Sequence, residues 1–352
     1  MKVGAQRLLL IAVSTLMTLV VADQAYRWLI EPEAIVPEAI GRFDDSLGWA
    51  LVPNASAMSS ATGTEVRYAI NSKGLRDDET EYAKPSGTLR IVLLGDSRTF
   101  GYGVPIEQHF SKLLEGYFRN VEVINMGVSG YGVDQELLAF RKEGMRYQPD
   151  VVVAYVAHFG DQRHMFADRW GKPKPQFLLR GGELVLTNVP VPSEYAGLDF
   201  AHRADLFFVS HSPLYREVSK AGVGLLKRAI GRAGPEPAPT DGKPDPVFVD
   251  RMYELAVAIL QQLDREATAA GARFVLVTQL PRLHSESAKL GITSLDVSWP
   301  LRNQRFDLPR GLAHINEAGN GVLAHEIAHF LINDGLIPSS HRADGADVEA
   351  AS

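Results

Sequence analysis

The sequence predicts an α/β fold: a three-layer sandwich with a parallel sheet between two layers of helices, preceded by an N-terminal hydrophobic helix. Three observations predict it. From residue 90 onward, short runs of Val, Ile and Leu alternate with segments whose apolar residues recur at helical spacing, the pattern of strands and covering helices. The strand runs carry almost no polar residue on either face, as a sheet buried on both sides requires. Finally, 352 residues with 45% hydrophobic content and no Cys can bury a core large enough to need no metal or disulfide.

In chain order, residues 8–22 come first, 15 uncharged positions after Lys2 and Arg7 and before Asp23. Spanning a bilayer squarely takes about 20 apolar residues. Two main readings stay open: a signal peptide cleaved after Ala22, or a retained anchor extended to the interface by Tyr26, Arg27 and Trp28. A buried soluble helix is the third. Residues 31–88 hold short apolar pieces between turn residues, notably 48–52 and 66–70, and form a β-rich lead-in. The main domain spans 89–335. It begins with a strand at 91–94, a helix carrying Phe110, Leu113, Leu114, Tyr117 and Phe118, and a strand at 121–126. A helix near 134–147, a strand at 151–157, a long helix near 247–270 and a strand at 274–279 follow. An insertion of about 158–246 lacks a clean strand–helix unit and ends in a Pro- and Gly-rich linker at 231–246. Residues 336–352 are expected to form a disordered tail.

Charge narrows the function classes. Lys and Arg total 36 against 42 Asp and Glu, a net charge of −6, with no basic run longer than two, so nucleic acid is not an expected partner. Cysteine-ligated zinc and iron–sulfur centres are excluded, and no cofactor is expected.

The stretch at 90–104 (RIVLLGDSRTFGYGV) carries the chemistry. A buried strand stops at Gly95-Asp96-Ser97, with Gly101 and Gly103 beyond and a helix next. A serine at such a junction is presented at a helix N-terminus, where negative charge is favoured; as a bare tripeptide, the same residues are equally a tight turn with an N-cap. The surroundings favour the first reading. This stretch resembles the first block of the SGNH, or GDSL, hydrolase superfamily, whose nucleophile is the serine of Gly-Asp-Ser. Asn125-Met-Gly127-Val-Ser129-Gly130 is similar to the second block, where a glycine N–H donates to the oxyanion, which would be Gly130. His314-Ile-Asn316-Glu-Ala-Gly319 is similar to the fifth block, which supplies the histidine. The resemblance runs over about 90–331 apart from the insertion, and implies Ser97 as nucleophile and His314 as general base. Asn71-Ser-Lys-Gly-Leu-Arg76, Lys172-Pro-Lys174-Pro and residues 184–190 resemble a membrane-tethered bacterial branch with envelope or exopolysaccharide functions.

Two positions depart from that family. The third block normally offers an Asn as an oxyanion donor, and here Gly160 stands in its place, before Asp161. The fifth block normally places an Asp three residues before the histidine, and here that residue is Gly311. Losing one oxyanion donor costs about 10²–10³ in rate, and losing the orienting carboxylate about 10⁴. His158 or Gln162 is the candidate replacement donor. Asp307, reaching back across a loop at 308–312, is one candidate orienter of His314, and Asp161 is the other. Arg98 either pairs an anionic substrate group, holds the Asp161 loop, or faces solvent.

His325-Glu326-Ile-Ala-His329 matches HExxH, a zinc-peptidase signature. Helix geometry weighs against it. With Leu323 at zero, Ile327, Phe330 and Leu331 define the apolar face, whereas His325 and His329 fall at roughly 200° and 240°. No metal is expected there.

The expectation is a serine esterase or acyl hydrolase acting on an O-acyl substrate, an acetylated polysaccharide being the favoured case. Its partners would be an acylated small molecule or glycan, and the membrane through the N-terminal helix. It would sit in the bacterial inner membrane with one span and the domain facing the periplasm or exterior, or be secreted after cleavage. An O-acyltransferase using the same Ser/His site, or a catalytically impaired glycan-binding or assembly protein, are the alternatives.

Overall fold

A computed structural model of the chain describes Ser14, Met17, Thr18 and residues 20–22, 38–60, 62, 65–158, 163–169, 172–193, 245–308 and 314–343. The chain divides into two compact units, Met1–Glu33 with Ser193–Asp245, and Ala34–Pro192 with Pro246–Ser352. In the first unit, Ser14, Met17, Thr18 and residues 20–22 are helical, and Ser193 and Asp245 are the other described residues. Most of the anchor-or-signal segment and the linker at 231–244 lie outside the described residues. Among the described residues, no helix is long and apolar enough to cross a membrane.

The second unit holds the sheet. Its lead-in makes two antiparallel hairpins, β1 (Gly41–Asp44) with β2 (Gly48–Leu51) and β3 (Ser56–Ser59) with β4 (Val66–Ala69). Asp44 closes the first by accepting the backbone N–H of Ser46 and Leu47, the local bonding that makes Asp a turn residue. There follow β5 (Leu89–Gly95), α1 (Ser97–Phe100), α2 (Phe110–Glu115), β6 (Val121–Asn125), α3 (Val133–Lys142) and β7 (Val151–Val156). Two small hairpins come next, β8 (Asp168–Arg169) with β9 (Lys172–Pro173) and β10 (Gln176–Arg180) with β11 (Glu183–Thr187). The chain then forms α4 (Pro246–Ala269), β12 (Arg273–Thr278), α5 (Pro281–Lys289), β13 (Ser294–Asp296) and α6 (Glu317–Asn333).

β5, β6, β7, β12 and β13 form one parallel sheet in the order β13-β12-β7-β5-β6. Strand parity sorts side chains between its faces. Val92 and Leu94 of β5, Val152 and Ala154 of β7, and Phe274 and Leu276 of β12 join the core under α3, α4 and α5. Ile91 and Leu93, Val151 and Val153, and Val275 and Val277 join the core under α2 and α6. In this doubly wound order, the first strand of the sheet lies between the second and the third. The topological switch point, where sheets of this kind bind ligands, therefore lies at the carboxyl ends of β5 and β7.

The lead-in shares this core. Ile40, Leu51, Tyr68, Ile70 and Leu75 are buried with Val92 and Leu94. Arg90, 1% exposed, bonds the carbonyls of Glu81, Tyr82 and Ala83 while pairing with Glu122. Two features differ from the sequence expectation. α5 and β13 complete the sheet where no strand was singled out, because β13 is only three half-buried residues. Beyond 335, Ile337 is buried in the α6 core, and Arg119 and Ala343 donate to the carbonyls of His341 and Tyr117. Order thus extends to Ala343, since one apolar residue after the helix finds a core to enter; residues 344–352 lie outside the described residues.

Candidate active site

β5 ends on Gly95, where a side chain has no room: a Cβ would sit 2.1 Å from Thr99 Oγ1 and 3.1 Å from the Tyr155 carbonyl. The chain can therefore turn from strand into α1 within one residue. Asp96 caps that helix, one carboxylate oxygen accepting the Arg98 N–H at 2.9 Å, and Gly101 ends it in the left-handed conformation (φ 84°). Ser97 is thus its first residue. From the lead-in, the buried Arg76 guanidinium bonds the carbonyls of Phe100, Gly101 and Val104 and lies over the Tyr68 ring at 4.6 Å. Burial lowers its pKa to about 10, which leaves it charged at neutral pH.

The structure brings Ser97 and His314 together. His314 Nε2 lies 2.7 Å from Ser97 Oγ across 217 positions of sequence. For Nε2 to accept the hydroxyl proton, the ring proton must sit on Nδ1. The ring packs on Tyr102, centroids 4.7 Å apart. Its segment is held by one isolated β-bridge, residue 307 pairing with 315, and by the Leu308 N–H donating to the His314 carbonyl at 2.8 Å. Asn316 caps α6 through the Gly319 N–H and bonds the carbonyls of Arg305 and Asp307. Gly319 lets the helix close on that segment, for a Cβ there would meet the Phe306 carbonyl at 3.0 Å.

This pairing places Asp307 differently from the sequence expectation. Along an extended segment neighbouring side chains point to opposite sides; Leu308 takes the buried side and Asp307 is exposed. The Asp307 carboxylate forms no hydrogen bond or ion pair with His314 among the described residues. Its contribution is through its main chain. Gly160, Asp161, Gln162 and Gly311 lie outside the described residues.

The backbone N–H groups of Ser97 and Gly130 are the oxyanion donors expected from the sequence. Among the described residues, neither the Ser97 N–H nor the Gly130 N–H makes a hydrogen bond. Gly130 (φ 86°) is the third residue of a turn closed by the Tyr131 N–H on the Val128 carbonyl at 3.1 Å, the position of a type II turn that demands positive φ. Its peptide is held from behind, because the Trp49 indole N–H donates to the Ser129 carbonyl at 3.0 Å. Tyr131 Oη returns a bond to the Trp49 carbonyl at 2.6 Å. The loop also lies hard against α1. A Cβ on Gly127 would sit 2.2 Å from the Phe100 nitrogen.

Charge near the serine is mostly buried. Burial pushes the Asp96 carboxyl up, but the Arg163 and Arg98 guanidiniums outweigh it and hold it below its usual range. Arg98 is 6% exposed, so the solvent-facing reading does not apply to it; its carbonyl accepts from His109 Nε2 at 2.9 Å. His158, two residues beyond the end of β7, is half-buried, with Nδ1 buried and unbonded among the described residues. Burial and the neighbouring Arg98 charge lower its pKa, so the ring is neutral and available as a donor at neutral pH. Arg163 and Trp49 were not singled out from the sequence, and Arg76 entered only as the end of the 71–76 phrase. The indole was the readable signal, since a Trp in a half-buried strand needs an acceptor for its N–H.

On α6, Leu323, Ile327 and Leu331 are buried, Phe330 and His325 half-buried and His329 exposed. The His325 and His329 rings stack at 6.2 Å, and His329 pairs with Asn333. Among the described residues, no group of three or more His, Cys, Asp or Glu is placed to hold a metal ion.

Solved structures similar to the chain include the lipase/acylhydrolase from Enterococcus faecalis, at 14% identity, covering 70% of this chain and 97% of that one with a TM-score of 0.37. A member of the lipolytic protein G-D-S-L family from Veillonella parvula shares 12% identity, covering 69% and 97%, TM-score 0.37. A two-domain esterase active on acetylated mannans shares 13%, covering 73% and 51%, TM-score 0.35. The likeness is to GDSL-type lipolytic hydrolases and esterases. No family model matches the chain, and no curated protein does. Likeness at this level decides nothing about chemistry.

Proposed function

We propose that this chain is a serine esterase that hydrolyses an O-acyl ester outside the cytoplasm, with Ser97 as nucleophile and His314 as general base. The observation that carries the reading is the 2.7 Å contact between Ser97 Oγ and His314 Nε2 at the carboxyl end of the sheet's first strand. Ser97 Oγ attacks the acyl carbon while its proton passes to His314 Nε2. The carbonyl oxygen takes the negative charge and accepts from the Ser97 and Gly130 N–H groups, with the His158 ring as third donor in place of the missing Asn. When the intermediate collapses, the ester C–O bond breaks and the departing alcohol takes the proton from His314. Water, deprotonated by the same nitrogen, then attacks the acyl-enzyme and releases the acid.

An O-acetylated polysaccharide is the substrate we propose, in a protein tethered or exported by residues 8–22. The support is the resemblance of 71–76 and 172–175 to the envelope-type branch and the uncharged N-terminal run behind Lys2 and Arg7. The test treats the purified full chain with a fluorophosphonate probe and assays p-nitrophenyl acetate hydrolysis. Wild type is expected to label on Ser97 and turn over, and Ser97→Ala to do neither. Wild type that does not label overturns the reading, and label that survives Ser97→Ala moves the nucleophile elsewhere.

A further inference from the structure

One nitrogen joins the two halves of the oxyanion site. Arg163 Nη1 donates one proton to Asp96 Oδ2 at 3.0 Å and the other to the Tyr131 carbonyl at 2.9 Å. Asp96 immediately precedes Ser97, and Tyr131 immediately follows Gly130. The pair is shielded from water, each side chain being 8% exposed. Electrostatics sharpens the point. A carboxylate one residue from the nucleophile opposes an oxyanion forming there, and the opposition is strongest where water is excluded. Asp96 is nevertheless needed as the cap of α1. A second carboxyl nearby, Glu136, is buried with Oε2 unbonded among the described residues. Its burial, and the Asp96 charge beside it, raise its pKa well above the usual range, which disfavours a second negative charge there.

We propose that Arg163 is the positioning residue of the oxyanion site: it fixes the Ser97 and Gly130 N–H groups relative to one another and cancels the Asp96 charge beside them. The proposal rests on the esterase reading for its chemistry, and on the structure alone for the clamp. Arg163 follows Gly160 by three residues in the sequence. Its nitrogen is committed to Asp96 and Tyr131, which makes it a support for the donors.

Two readouts on the full chain test this. The first is the rate of fluorophosphonate labelling of Ser97. Arg163→Met is expected to slow it about 10²-fold, the scale of losing one oxyanion donor, with Arg163→Lys intermediate. Asp96→Asn combined with Arg163→Met is expected to label faster than Arg163→Met alone, because the uncompensated charge has gone; a purely structural role gives the opposite order. The second is amide hydrogen exchange, which needs no activity. Arg163→Met is expected to speed exchange in peptides covering 97–101 and 127–132 while α4 and α6 keep wild-type protection. Wild type that fails to label sinks the esterase reading, and exchange then decides the clamp by itself. Unchanged labelling and exchange in Arg163→Met, or a double variant slower than the single, overturns the proposal. If Arg163→Met does not fold, Arg163→Lys and Asp96→Asn carry both readouts.

Discussion

Trp49 and Ser129 are 80 positions apart, and one hydrogen bond between them holds the peptide that carries the Gly130 N–H, the proposed oxyanion donor. In a trans peptide the C=O and N–H point opposite ways, so holding the Ser129 carbonyl from the lead-in side turns the Gly130 N–H away from it. Trp49→Phe keeps the edge contact with Tyr131, whose ring lies 5.8 Å away, and removes the donor. A neutral hydrogen bond contributes about 0.5–1.5 kcal/mol, so labelling of Ser97 should slow about 2–10-fold with the melting temperature little changed; an unaltered rate shows that the turn holds the peptide without the indole. At this scale the sequence shows candidate reactive residues, through the family blocks they resemble, better than their supports. Ser97, Gly130 and His314 stand in local patterns tied to a turn or a helix start. Trp49, Arg76 and Arg163 act through carbonyls far along the chain, and a carbonyl has no sequence signature. Asp307 shows the converse limit, since a carboxylate at plausible spacing is turned outward by the alternation of its own extended segment.

Among the elements, the β8–β11 hairpins are fastened to α3 by a pair the sequence hinted at without explaining. Lys174, in Lys172-Pro-Lys174-Pro, and Asp134, in the first turn of α3, are wholly buried and bonded to each other. Lys174 also bonds the carbonyls of Phe166 and Pro175. Breaking a buried pair by removing one partner typically costs 3–5 kcal/mol, whereas replacing both by apolar groups is often neutral. Lys174→Met is therefore expected to lower stability by about 3–5 kcal/mol in urea unfolding, and Lys174→Met with Asp134→Leu to recover most of it. Equal loss in single and double variants would show that the lysine stem, rather than its charge, does the fastening. The lead-in obeys a similar logic. Asn71 Oδ1 accepts the N–H of Lys73 and Leu75, and this turn delivers Arg76 to the carbonyl end of α1. The hairpins themselves were legible as turn residues between apolar pieces. Their docking was not, because it depends on which carbonyls the main sheet leaves open.

At the level of the whole molecule, the two cores exclude water so fully that ionisable groups between them lose their usual equilibria. His109 is the clearest. Its Nε2 donates to the Arg98 carbonyl, its Nδ1 lies 2.8 Å from Ser111 Oγ, and burial pulls its pKa down to about 3. Between that value and the ordinary value of about 6.5, the unfolded chain binds a proton that the folded chain refuses. This contribution to stability is therefore full above pH 6.5 and is lost as the pH falls toward 3. The stability advantage of wild type over His109→Gln should then shrink between pH 7 and pH 4, read as the difference of their melting temperatures. A constant difference would mean that His109 is protonated in the folded protein at acid pH.

The sequence by itself determined most of the alternation of strands and helices and the glycines at the turns, and its likeness to the GDSL blocks pointed to Ser97 and His314 as the candidate pair. The alternation and the glycines follow from hydrophobic period and local backbone geometry, which are properties of neighbours in the chain; the pair followed from the resemblance. Tertiary structure alone decided that Ser97 and His314 meet, that Asp307 turns away, and that one guanidinium links Asp96 to Tyr131. Those outcomes depend on the strand order that brings β5 beside both β6 and β7 and on which buried carbonyls are left needing a donor. No local pattern encodes that, because an unsatisfied carbonyl exists only once the rest of the chain has folded around it.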